Sequence, residues 1–122
     1  MKTLLAKKLY TNIQNTVDTV QKLGVDYVFL VTHLGMNGIT PRWSSLAVAQ
    51  NTQGIDAIID GHSHEVIPTF IAKNKQGKNV LITQTGTKLQ NIGKLTITPQ
   101  GEISTELIND LTKNNPKNYQ FN

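Results

Sequence analysis

The sequence predicts an α/β fold: a long amphipathic helix, then a strand, loop, helix, strand unit, then antiparallel strands. Three observations carry that expectation. An apolar stripe with helical spacing runs through the first two dozen residues, two short β-branched runs each lead into histidine, and short apolar strands separated by turns fill the second half.

Over residues 3–23, Leu5, Leu9, Ile13 and Val17 recur four apart, and Val20 and Leu23 extend the stripe. That is the period of a helix with one buried face, and Gly24 supplies its C-terminal stop. Lys7, Asn12, Asn15, Asp18, Thr19 and Lys22 form the polar face. Residues 25–32 hold too few polar side chains for a sheet with one wet face, so this strand is expected in the interior of a parallel or mixed sheet. Gly35, Asn37, Gly38 and Pro41 make residues 34–43 a loop. Ser44 or Ser45 caps a short helix that runs to Asn51 or Thr52, buries Leu46, Val48 and Ala49, and ends at Gly54. Residues 55–59 are a second buried strand, and a right-handed crossover makes it the parallel neighbour of the first. Residues 66–72 and 79–84 flank a polar, glycine-containing turn and read as a hairpin. Residues 91–98 form another strand, Pro99-Gln100-Gly101 a turn, and residues 102–108 a final edge strand. Residues 1–108 are therefore the folded unit, and 109–122 a linker or tail.

At 122 residues the chain suffices for one domain and not two. It has no cysteine, which excludes disulfides and thiolate metal ligands. Twelve basic against eight acidic side chains give +4, but the basic residues are scattered and do not alternate with aromatics. No nucleic-acid partner is expected from that pattern. No apolar run approaches the roughly 20 residues of a membrane span, so no membrane partner is expected either. Lys7-Lys8 interrupts the N-terminal apolar residues before a signal-type core forms, so export is not encoded in this stretch.

The chemistry is expected where the histidines lie. His33 closes the first buried run, and Asp60-Gly61-His62-Ser63-His64 directly follows the second. All three imidazoles of the chain thus sit past the C-terminal ends of strands, the edge of an open α/β sheet that borders ligand sites. Imidazole is the commonest protein ligand of zinc and similar cations. Two histidines one residue apart in a turn can serve one metal site or two adjacent ones, and the same spacing also suits ordinary polar loop residues. Arg42 has the planar fork that suits phosphate oxygens, and equally suits a surface position. Asn37 is the other polar candidate of that loop. Trp43 is read as a core anchor.

Val31-Thr32-His33-Leu34-Gly35 paired with Asp60-Gly61-His62-Ser63-His64 resembles the last two metal motifs of the calcineurin-like metallophosphoesterases. The likeness is closest to the branch of 5′-nucleotidases and 2′,3′-cyclic-nucleotide phosphodiesterases. The strand Val80-Leu81-Ile82-Thr83-Gln84-Thr85-Gly86 and the following Asn91-Ile92-Gly93-Lys94-Leu95 are similar to the strands after the double-histidine turn there. The resemblance spans about residues 20–108. It implies half of a four-layer αββα sandwich and a two-metal hydrolase of nucleotides or other phosphate esters. His33 and His62 look like ligands of one metal, His64 of the other, and Asp60 like a residue that orients them. Asn37 and Arg42 are carried as substrate-binding candidates. The family's earlier motifs, an Asp-x-His, a Gly-Asp and a Gly-Asn-His, are not found in this sequence, so the chain is expected to be the C-terminal half of the domain. The catalytic histidine and the carboxylate that bridges the metals are then expected in the other half. Two divalent ions, zinc, manganese or iron, are implied for the complete domain, and one or none for this chain alone. The alternative is a non-catalytic half-domain that self-associates or complements an N-terminal partner. Family resemblance implies an exported protein.

Overall fold

The computed structural model describes residues 2–38 and 40–109. The amphipathic segment forms helix α1 (Lys2–Lys22), with Val17 buried and Leu9 and Ile13 packed against the core. It stops at Gly24, which takes a left-handed φ of +83°, while the Leu23 and Gly24 amides donate back to the Val20 and Gln21 carbonyls. The ends of the stripe, Leu5 and Leu23, remain exposed.

Strand β1 (Phe29–Val31) is followed by helix α2 (Ser45–Asn51) and strand β2 (Ala57–Asp60). Ser44 caps α2, its hydroxyl accepting from the Ala47 amide at 3.1 Å, and Val48 and Ala49 are fully buried beneath the helix. The chain continues through β3 (Val66–Lys73), β4 (Asn79–Thr85), β5 (Asn91–Ile97) and β6 (Ile103–Asn109). One sheet has the order β1-β2-β4-β3, parallel except for the β3–β4 hairpin, and β5 and β6 form a separate antiparallel pair. The core gathers Val17, Met36, Val48, Ala49, Ile55, Ile58, Ala72, Val80 and Ile82.

Three sequence expectations need correction. Residues 25–32 do not form an interior strand: only Phe29–Val31 are strand, and β1 lies at the sheet edge among the described residues. Just before the ladder the Val28 amide donates to the Asp56 carboxylate at 2.8 Å while the Val28 carbonyl accepts from the Asp56 amide at 2.9 Å. Val31, on this edge, is 77% exposed. Trp43 is not a core anchor, remaining 37% exposed at the end of the loop. Asn109, expected to open the tail, is the last residue of β6 and pairs with Asn91; residues 110–122 lie outside the described residues.

Adjacent residues of β2 should therefore respond very differently to truncation. Ile58→Ala is expected to cost about 2–5 kcal/mol in chemical denaturation because the site is fully enclosed. Ile59→Ala, on the partly open face, should cost less than half as much.

Candidate metal centre

Because β1 and β2 are parallel neighbours with Val31 opposite Ile59, the segments that leave them emerge side by side. The imidazoles of His33 and His62 meet there edge to face, with ring centres 5.0 Å apart and planes at 73°. Two glycines permit this approach. A Cβ on Gly61 would stand 3.3 Å from His33 Nδ1, and one on Gly35, whose φ is +83°, would stand 3.5 Å from His62 Cδ2.

The segments are tied together by Asp60, whose side chain is buried at the end of β2. Its Oδ1 accepts from the Thr32 hydroxyl at 2.7 Å, the Leu34 amide at 3.1 Å and the Gly35 amide at 3.3 Å. Those three donors bracket His33. The carboxylate thus holds the backbone that carries the first histidine, while its own chain leads directly into the second. The turn that follows is backbone-strained: His62 and His64 take left-handed φ values of +87° and +56°. Such conformations cost non-glycine residues about 1–3 kcal/mol each and concentrate at functional sites.

The other candidates are placed differently. His64 is exposed one residue beyond Ser63, and among the described residues no group of three or more His, Asp or Glu gathers tightly enough to hold an ion. Asn37 is exposed on the loop after His33. Arg42 lies against α1: its carbonyl accepts from the Tyr10 hydroxyl, and it borders a groove with Ala6, Lys7, Tyr10 and Asn51. Two residues were missed from sequence alone, Ser63 and the buried Gln84. The one available signal was a glutamine in the otherwise apolar and β-branched run of residues 80–85.

A search of solved structures matches this fold to a 5′-nucleotidase precursor from Thermus thermophilus, with TM-score 0.68, 25% identity and 82% of the chain covered. The chain also aligns over 98% of its length, at 25% identity, with a trifunctional nucleotide phosphoesterase of Bacillus subtilis. These similarities are consistent with the resemblance to the 5′-nucleotidase branch of the calcineurin-like phosphoesterases. The NAD nucleotidase of Haemophilus influenzae shares the fold, with TM-score 0.65 over 79% of the chain at 19% identity. No family model matches the sequence. The chain spans 22% of the Thermus protein, 21% of the Haemophilus protein and 8% of the Bacillus protein.

That branch's reliance on divalent metals can be tested against the donors present. Two imidazoles bound at roughly 2.0–2.1 Å to one tetrahedral ion have ring centres about 5 Å apart. The His33–His62 separation fits two corners of such an ion, and further corners need donors beyond this pair.

Removing the Asp60 carboxylate should release the loop that carries His33. Asp60→Ala removes the acceptor shared by four donors, three of them on the His33 segment, and is expected to cost about 2 kcal/mol. Exchange of the Leu34 and Gly35 amides should rise about tenfold or more. Asp60→Asn, which keeps an oxygen at that position, should show a smaller rise. At Tyr10, burial pushes the phenol above its ordinary range and the Arg42 guanidinium pulls it partly back. A folded-state value raised above the unfolded one contributes stability that is complete below the unfolded value and lost as pH rises through the folded one. Unfolding followed from pH 8 to 11 should therefore show a loss above about pH 10, the ordinary phenol value, that Tyr10→Phe reduces.

Proposed function

We propose that this chain forms part of the metal site of a phosphoesterase that hydrolyses nucleotide phosphate esters, in the manner of a 5′-nucleotidase. The observation that supports it best is the His33–His62 pair at neighbouring strand ends, fixed by a buried carboxylate, in a chain related to nucleotide phosphoesterases. In this reading His33 and His62 hold one divalent ion and His64 contributes to a second. Bound divalent ions supply Lewis-acid polarisation of the phosphoryl group and neutralise its charge. The protein's own contribution is placement. Asp60 keeps the His33 segment in register with the His62 turn, and the strained turn presents both of its imidazoles without rearrangement. Asn37, on the loop that follows His33, and Arg42 are the proposed contacts to substrate oxygens.

Among the described residues the donors do not complete a two-metal set, so the isolated chain is proposed to bind metal weakly and to turn over substrate poorly. Export from the cytoplasm belongs to the same proposal by family resemblance, and among the described residues no helix is long and apolar enough to cross a membrane. Titration of the chain with Zn²⁺ or Mn²⁺, followed by calorimetry and histidine NMR, tests it. Weak binding should be lost in both His33→Ala and His62→Ala and only reduced in His64→Ala. Robust hydrolysis of a nucleoside monophosphate by the 122-residue chain, abolished by His62→Ala, would contradict the weak-activity part. Equal indifference of metal binding to all three substitutions would remove the site.

One observation favours the second reading, a half-domain covered by another polypeptide. Phe29, Val31, Ile59 and Ile71 share one face of the four-stranded sheet by register, and all four are exposed. Apolar sheet surface of this kind is ordinarily covered. A strictly monomeric, stable chain in light scattering at high concentration would argue against it.

A further inference from the structure

We infer that Gln84 is the positioning residue that locks the two histidine-bearing segments to each other. It lies in β4 directly opposite Asp60 in the parallel ladder and is 1% exposed. Its carboxamide reaches the double-histidine turn directly and the His33 segment through Asp60 and Ser63. Toward the double-histidine turn, Oε1 accepts from the Glu65 amide at 2.9 Å and from the Ser63 hydroxyl at 3.1 Å, and Nε2 donates to Ser63 Oγ at 3.0 Å. Toward the His33 segment, Nε2 donates over a longer 3.4 Å to Asp60 Oδ2, the carboxylate whose other oxygen holds Thr32, Leu34 and Gly35. Ser63 closes the circuit, its Oγ also accepting from the Met36 amide at 3.4 Å.

The orientation of this carboxamide is determined by its neighbours. The Glu65 amide can only donate and the Asp60 carboxylate accepts, so a flipped amide would oppose donor to donor and oxygen to oxygen. No other side chain of this length offers both functions. A glutamate keeps the acceptor and loses the donor, whereas a methionine keeps the volume and loses both. The bonds to Ser63 and Glu65 also bear on the strained backbone, because they hold the turn whose two histidines have left-handed φ. Without them the turn can relax, and His62 is free to leave the face of His33.

This inference rests on the proposed metal-site function only for its chemical consequence, since the positioning itself is a property of the apo chain. The experiment separates the two. Amide exchange and the ring-to-ring NOE of His33 and His62 are measured without metal on the wild-type chain and on Gln84→Met, Gln84→Glu and Ser63→Ala, followed by Mn²⁺ titration of each. In Gln84→Met, exchange at Leu34, Gly35 and Glu65 should accelerate at least about tenfold with Ile58 and Ile82 still protected, the NOE should vanish, and Mn²⁺ should bind about 10–100-fold more weakly. Gln84→Glu should keep the Glu65 amide protected while Leu34 and Gly35 loosen, and Ser63→Ala should have a smaller effect than either. Acceleration at Glu65 alone, with Leu34, Gly35 and the NOE as in wild type, overturns the inference. Loosening of both segments with unchanged Mn²⁺ affinity upholds the positioning role and overturns its consequence for metal binding. If Gln84→Met loses the protection of Ile58 and Ile82, Gln84→Glu decides by the same comparison. If the wild-type chain binds no Mn²⁺, the metal reading fails, and the exchange and NOE data still decide the role of Gln84.

Discussion

A carboxylate taken out of water is tolerated only when donors replace its hydration, and Asp60 meets that condition with four. Three of the donors come from Thr32, Leu34 and Gly35, which bracket His33, so the group that must be satisfied at the end of β2 is satisfied by holding the end of β1 beside it. The site geometry is thus a by-product of solvating one buried charge. Thr32 also links this network to α2, its hydroxyl lying 2.9 Å from that of the buried Ser45. The same helix is capped by Ser44, so the loop between the first histidine and the helix is anchored at both ends.

Backbone freedom complements this constraint. Gly61 lets the main chain pass close to His33, where a Cβ would be tight at 3.3 Å, and Gly35 takes a left-handed φ of +83° beside His62. His62 and His64 adopt the conformation that glycine would take more cheaply, which means imidazole at those positions is kept against a conformational cost. Core packing does not explain that choice, because both rings are exposed. The proposed metal site would account for it.

The two faces of the four-stranded sheet differ in the same direction. Leu30, Ile58 and Ile82 align by register on the face that meets the helices, and Ile58 and Ile82 are fully enclosed. On the opposite face β5 and β6 cover only part of the strands, reaching β3 through the Thr69 and Thr105 hydroxyls. An apolar strip remains open beside the strand ends that bear the histidines. The relatives that share this fold are nearly four times as long, which agrees with a unit whose sheet is built to be covered.

Local chemistry made much of this legible in the residues themselves. Four-residue spacing and Gly24 delimited α1, Ser44 and buried Val48 and Ala49 delimited α2, the glycine-bearing turns separated the hairpin strands, and the two short runs placed His33 and His62 at strand ends. Each of those signals acts over a few residues of chain. Lateral order in a sheet does not, because it is decided by backbone hydrogen bonds between distant segments. Only the tertiary structure could therefore insert β4 between β2 and β3, leave β1 at an edge, and set Arg42 against Tyr10. The Asp60–Gln84–Ser63 network belongs to the same category: Asp60 stands out along the chain, but its partners Gln84 and Ser63 are assigned to it only when β2 and β4 align with Asp60 opposite Gln84. Periodicity reports that a residue is buried, and folding alone decides what it is buried against.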